Sequence, residues 1–238
     1  MKIALLGYGK MGHAIEEIAL QRGHTIVLRI TDENLEELTV GNLKDADVAI
    51  EFTNPKSAVE NILLCLNNNI AIVCGTTGWL NLWESIKEKC KEVNGSFVYA
   101  SNFSVGVNIF FELNKKLATL IKPHPDYDVK LEEIHHTQKK DAPSGTAITL
   151  AEQIIGLSGN KNKWVNNETT NESELSIISK RIDEVAGTHV VKYFSSVDDI
   201  EIIHTAHNRK GFAEGAVLAA EFIVDKKGIF SMKEVLGF

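Results

Sequence analysis

Short apolar runs alternate with amphipathic segments through the first hundred residues. Lys2–Leu6 is an apolar run ending at glycine, the pattern of a buried parallel strand. Met11, Ala14, Ile15, Ile18 and Ala19 then recur at helical spacing, and Gly23 stops that helix. Strands are predicted at His24–Ile30, Asp47–Phe52, Ile70–Cys74 and Ser96–Ala100. Asn54-Pro55 reads as the N-cap and first position of a helix whose apolar face is Ala58, Ile62, Leu63 and Leu66. Another helix runs to about Lys91. This rhythm predicts an α/β fold with a parallel, doubly wound sheet.

The pattern changes after Phe103. Asn108–Leu120 predicts one amphipathic helix, Tyr127–His135 a strand, and Ser144–Ile155 a second helix after a loop. Ser158–Glu174 is polar and reads as a mobile surface loop. Leu175–Arg181, Gly187–Phe194 and Asp199–Ala206 have a period nearer two, which predicts an open mixed or antiparallel sheet. Phe212–Val224 is a final helix followed by a short tail, and it is expected to pack back on the first domain. The expected division is residues 1–104 plus 212–238 as one domain and 105–211 as the other.

Composition narrows the function. With 238 residues and 44% hydrophobic content the chain can bury a full core. A formal net charge of −7, with no Lys/Arg run longer than two, argues against nucleic acid as partner. No apolar run approaches a membrane span, and Gly7 and Gly9 interrupt the N-terminal run before a signal core can form. Cys65, Cys74 and Cys90 form no CxxC, so neither a disulfide framework nor a zinc site is expected, and a reducing cytoplasm fits.

Gly7-Tyr8-Gly9-Lys10-Met11-Gly12 is GxGxxG between a predicted strand and a predicted helix, the context of a dinucleotide site. Gly7 permits the tight turn, Gly9 lets a pyrophosphate approach the backbone, and Gly12 lets the helix pack close. The helix start offers unpaired N–H groups and partial positive charge. Asp32 stands near the place of a ribose-binding acid, with Glu33 beside it, but Arg29 could equally meet a 2′-phosphate, so NADH and NADPH both remain open. Two loops end strands of the same sheet and lie where a bound dinucleotide should run: Gly75-Thr76-Thr77-Gly78 and Ala100-Ser101-Asn102-Phe103.

The richest segment is Glu133–Ala147, EIHHTQKKDAPSGTA. Adjacent His135 and His136 face different sides, so one can give a proton while the other contacts a ligand. Lys139 or Lys140 adds a cation, and spacing does not choose between them. Pro143 bars helix before Ser144. Ser144-Gly145-Thr146 opens a helix whose hydroxyls and N–H groups suit a carboxylate, although Ser144 alone could be a plain N-cap. His189, His204 and His207 are scattered on predicted strands, so no metal is expected.

These motifs together resemble the 4-hydroxy-tetrahydrodipicolinate reductase family, also called dihydrodipicolinate reductases. The likeness rests on GYGKMG, GTTGW, ASNFSVGVN, E-x-HH-x-x-K-x-DAPSGTA, Arg181 with GTHVV, and HTAHNRKGFAEGAVLAAEF, and it spans nearly the whole chain. It implies a Rossmann domain, a substrate domain whose open sheet also builds a homotetramer, and reduction of a small cyclic imine dicarboxylate by NADH or NADPH. By motif position it implies His135 as acid/base and Lys139 as a second proton donor, with His136, Gly145 and Thr146 contacting substrate. It also implies cofactor contacts at Gly7–Met11, Gly75–Thr77 and Ala100–Phe103. Thr188 stands where the family usually has an acid. The rival readings are a different dehydrogenase with the same first domain, which would lack the His-pair block, and a redox sensor that binds a dinucleotide without turning it over.

Overall fold

A computed structural model describes residues 1–208 and 210–238; Arg209, part of the last motif above, lies outside the described residues. The chain divides into two compact units, Met1–Val105 with Arg209–Phe238, and Gly106–Asn208.

The first unit carries a parallel sheet. Its strands are β1 (Lys2–Leu6), β2 (Thr25–Ile30), β3 (Val48–Glu51), β4 (Ala71–Cys74), β5 (Ser96–Tyr99) and β11 (Gly228–Phe230), in the spatial order β11-β5-β4-β3-β1-β2. Strand order reverses at the β1/β3 junction, where ligands settle in open α/β sheets. Register aligns the strand ends: Leu6 lies beside Ile30 and Glu51, Glu51 beside Cys74, and Cys74 beside Tyr99. Five loops therefore leave the sheet from one edge.

Helices α1 (Lys10–Gln21), α3 (Pro55–Asn67), α4 (Trp83–Glu92) and α7 (Lys210–Ile223) cover this sheet. A short α2 (Val40–Leu43) precedes β3. One core joins Ile3, Leu5, Ile15 and Val48 to Ala213, Ala216, Val217 and Ala220, so α7 shares the core of α1 and the sheet. Its docking requires Gly215, where a Cβ would stand 1.7 Å from the Phe103 carbonyl oxygen. A second core holds Ala4, Leu6, Ile62, Leu66, Ile72 and Phe97 on the other sheet face. Asn54 caps α3 by accepting from the Lys56 and Ser57 N–H groups, with Pro55 in the first turn, a cap worth about 1 kcal/mol. The expected short tail is instead β11, which extends the sheet beside β5, and α8 (Met232–Leu236), closed by a Ser231–Glu234 capping box. A three-residue strand is too short to show a period in sequence.

The second unit is a mixed sheet ordered β10-β9-β6-β8-β7, as the alternation in the sequence predicts. Its strands are β6 (Asp128–His135), β7 (Lys163–Val165), β8 (Glu174–Arg181), β9 (Gly187–Phe194) and β10 (Asp199–Ala206). β6 pairs parallel to β8 and antiparallel to β9. Helices α5 (Val105–Ile121) and α6 (Gly145–Ser158) close a core of Val107, Phe110, Leu131, Leu150, Ile154, Leu175, Ile177, Val191 and Tyr193. The segment Ser158–Glu174 is not a plain surface loop: β7 pairs parallel with β8. Buried Lys161 fixes its start, with Nζ 2.5 Å from Asp128 and donating to the Glu172 carbonyl at 2.9 Å. No helix among the described residues is long and apolar enough to cross a membrane.

Candidate active site

Along the strand-end edge of the first unit, the three glycines of GxGxxG play three different physical parts. Gly7 has φ +93°, and a Cβ there would lie 2.2 Å from the Phe52 carbonyl oxygen. At Gly12 a Cβ would lie 2.8 Å from the Gly7 carbonyl oxygen, so the start of α1 sits tight on its own loop. At Gly9 nothing stands within 4 Å, and Gly9 is the N-cap of α1 with no side chain to satisfy the first turn. An open backbone with unspent N–H donors at a positive helix end fits a pyrophosphate. Lys10 is exposed, and Met11 packs partly on the core.

Beside that loop, Tyr8 and Arg29 both bind the Glu16 carboxylate, and the Arg29 guanidinium lies 5.8 Å from the Tyr8 ring centre. The hydrogen bond to Glu16 pushes the Tyr8 phenol up, while the Arg29 guanidinium holds Glu16 below the usual carboxylate range. Sequence left Arg29 open as a phosphate ligand; in the fold its charge is engaged. Asp32 is exposed, two residues beyond the end of β2.

The Gly75–Gly78 loop hangs on a buried carboxylate. Glu51, fully buried at the end of β3, accepts from the Thr53 N–H at 2.8 Å, the Thr76 hydroxyl at 3.1 Å, the Cys74 thiol at 2.9 Å and the Thr53 hydroxyl. Burial and the Glu51 charge push the Cys74 thiol far up, so it stays neutral. Gly75 is required because a Cβ would meet the Phe52 ring at 2.2 Å. Thr76 is thus a tether, and exposed Thr77 is the residue of the pair presented outward. In the next loop Ser101 is exposed, Asn102 accepts from the Ser104 N–H at 2.9 Å, and Ala100 donates to the Cys74 carbonyl at 3.4 Å. Phe103 is a core residue, 2% exposed, with its ring 5.7 Å from that of Phe52.

In the second unit the buried face of β6 runs Val129, Leu131, Glu133, His135. Side chains two apart share a face, so an apolar stripe becomes charged as it reaches the start of α6. Register sets Glu133 opposite His189 on β9, and His135 opposite Arg181 on β8. His189 therefore is not remote from the His pair: its ring centre is 5.1 Å from that of His135. Cross-strand pairing, invisible as a spacing in sequence, makes this contact.

Glu133 is fully buried. Its Oε1 accepts from the Ser144 N–H at 3.1 Å and from Arg181 Nη2 at 3.3 Å. Its Oε2 lies 3.2 Å from His135 Nδ1 and 3.9 Å from His189 Nε2. Burial alone would raise this carboxyl, but the nearby polar groups of His135, Ser144 and Ser179 hold it far below the usual range. Burial, reinforced by the His135 charge, pushes His189 down to about 4. Glu133, His135 and His189 offer ligand-type atoms within 4.8 Å of one another. The Arg181 guanidinium on Glu133 and the Ser144 hydroxyl 3.1 Å from His189 Nε2 extend the set into a wider polar network.

Around this network the predicted residues take distinct places. Ser144 Oγ accepts from the Ala147 N–H and meets His189, so Ser144 serves as N-cap. Gly145 is exposed and Thr146 half-buried at the helix start. His136 is half-buried while His135 is 8% exposed, so the pair does face two ways. Lys139 Nζ contacts both Asp141 oxygens at 2.9 Å, and Lys140 is exposed. Arg181 clips this loop by donating to the carbonyls of Lys139 at 3.3 Å and Asp141 at 2.6 Å. Thr188, where an acid was expected, pairs its hydroxyl with Thr205 across the β9–β10 ladder at 3.1 Å. Neither Glu51 nor Glu133 was among the expected site residues; Glu133 opens the E-x-HH block and stands in the period-two buried face of β6.

The family model described as "Dihydrodipicolinate reductase, N-terminus" matches residues 1–103, and "Dihydrodipicolinate reductase, C-terminus" matches 106–236. A curated 4-hydroxy-tetrahydrodipicolinate reductase of Christiangramia forsetii is 52% identical over 236 residues, covering 99% of this chain and 98% of the relative. Another from Methanoregula boonei is 39% identical over 199 residues, covering 82% and 76%. A solved dipicolinate-bound dihydrodipicolinate reductase from Paenisporosarcina sp. TG-14 shares the fold, with TM-score 0.79, 23% identity and 98% coverage of both chains.

Proposed function

Because this chain belongs to the dihydrodipicolinate reductase family, we propose that it reduces 4-hydroxy-tetrahydrodipicolinate to tetrahydrodipicolinate, with NADH or NADPH, in the diaminopimelate route to lysine. The first unit is the dinucleotide-binding domain. Gly7–Gly12 at the start of α1 holds the pyrophosphate, Asp32 and Arg29 lie at the ribose end, and Thr77, Ala100, Ser101 and Asn102 line the remaining edge. The bound dinucleotide supplies a hydride.

The second unit is the substrate domain. A substrate with two carboxylates meets Gly145 and Thr146 at the start of α6, with His136 and Lys139 as further contacts. As the 4-hydroxyl leaves as water and hydride adds to the conjugated imine, negative charge grows on the ring. One proton from His135 or Lys139 completes the product, and the Lys139 ammonium stabilises that charge even where it keeps its proton. Lys139 must then exchange Asp141 for substrate, a change within a short exposed loop. The observation that carries this reading is the convergence of His135, the Lys139 loop and the α6 start on one buried carboxylate.

The same reading makes this unit the site of assembly into a homotetramer. Large apolar side chains remain exposed on α5 (Ile109, Leu113, Leu120) and on β10 (Ile203). Light scattering should give four times the 26.3 kDa chain mass. Three free, buried cysteines fit a reducing cytoplasm. The activity is tested by following absorbance at 340 nm with NADH and NADPH separately, the imine being generated in place by its upstream synthase. Oxidation of either cofactor is expected; dinucleotide binding without oxidation would mark a sensor and end the proposal.

A further inference from the structure

A fully buried carboxylate needs a reason, because removing it from water is costly unless every lone pair is answered. Glu133 Oε1 is answered by hydrogen bonds from the Ser144 N–H and the Arg181 guanidinium, while Oε2 makes no hydrogen bond and has the His135 ring as its charge partner 3.2 Å away. We infer that Glu133 is the positioning residue of the site, setting the tautomer and orientation of His135 while locking the α6 start and the Lys139 loop to the same point. This rests on the reading of His135 as an acid/base.

Three observations support it. His135 Nδ1 is enclosed and lies 3.2 Å from Glu133 Oε2, an ion-pair contact rather than an aligned hydrogen bond. A carboxylate there favours hydrogen on Nδ1 of the neutral ring, leaving Nε2 as the working nitrogen. Space beside Nε2 is kept by Gly187, where a Cβ would stand 3.0 Å from that atom. Finally, the Glu133 oxygen that does not face His135 holds Ser144 and Arg181, and Arg181 in turn holds the carbonyls of Lys139 and Asp141. One side chain therefore registers a proton site, an anion site and a cation loop.

The charged groups around His135 are Glu133 on its own strand, Arg181 on β8, His189 on β9 with His204 behind it on β10, and the Lys139–Asp141 pair in the loop. Glu133 is the one carboxylate within 4 Å of the His135 ring nitrogens among the described residues. Neutralising it should therefore make the imidazolium a stronger acid.

The test compares pH profiles of kcat/KM for the wild-type enzyme, His135→Gln, Glu133→Gln and Glu133→Asp. The His135 limb should vanish in His135→Gln. In Glu133→Gln it should move toward acid, with kcat down about tenfold, while KM for NADH stays unchanged. Glu133→Asp, which restores charge at shorter reach, should recover part of the shift. If His135→Gln keeps the limb and the rate, the acid/base reading falls and this inference with it. A limb lost in His135→Gln but unmoved in Glu133→Gln overturns the inference alone. Should Glu133→Gln not fold, imidazole nitrogen NMR of the wild type decides. Neutral His135 protonated on Nδ1 is expected, and protonation on Nε2 overturns the inference.

Discussion

Two fully buried glutamates, one in each unit, show how differently a strand end can be built. Glu51 is answered by neutral donors: two threonines and a thiol. Its work is to pin the Thr53 and Gly75–Gly78 loops into a fixed backbone shape. Glu133 accepts from one neutral donor, the Ser144 N–H, but also from a guanidinium, with one imidazole 3.2 Å and a second 3.9 Å from its other oxygen. Its proposed work is to set charge. The cofactor edge is thus a matter of shape and should respond to steric change, while the proton site should respond to pH and to loss of charge.

The sharpest break of this contrast lies in the glycine loop. Gly7→Ala should cost about 3 kcal/mol or more, since the new Cβ meets a backbone oxygen and φ is positive. Gly9→Ala should change stability by no more than about 1 kcal/mol, yet weaken dinucleotide binding at least about tenfold by filling the phosphate approach. Urea melts and fluorescence titration with NADH measure both. Equal melts for Gly7→Ala and wild type would remove the steric half of the argument.

On the charged side, Lys139→Ala should lower turnover at least about tenfold with an unchanged melt. Unchanged turnover would strip Lys139 of its role. A different readout separates the units by pH. His189 is held at about 4, against an ordinary value of 6.5. The unfolded chain therefore binds this proton more readily between those values, and stability present above pH 6.5 is lost as pH falls toward 4, by ~3 kcal/mol at most. His189→Gln should flatten urea midpoints across that window; an unaltered slope would contradict the burial of a neutral ring. The smallest expected change is at the ribose end. Glu16→Gln should release Arg29 and raise the preference for NADPH over NADH by about two- to fivefold, modest because Arg29 is partly exposed. A ratio that does not move would place Arg29 out of reach of the 2′-position.

The fold was largely legible because its elements are long and strongly periodic. The bounds predicted for β1, β9 and β10 match those observed, and the Asn54-Pro55 cap lies where its chemistry demands. β7 and β11 were not legible, since three residues carry no period and each forms only because a neighbour offers an edge. In the cofactor edge the glycines were readable. The reassignment of Thr76 to a tether and Phe103 to the core was not, because burial is a property of neighbours distant in sequence.

Local chemistry settled what the chain alone could settle. Glycine at 7, 9 and 12 between a strand and a helix, and two histidines, a lysine and a helix start within one segment, are facts of covalent order, and they were enough to point to a reductase family. Only folding decided that Glu133 would face His189 and that Arg181 would reach back over the Lys139 loop. Strand register makes those pairs, and register depends on which faces the whole sheet can bury, which no single segment encodes.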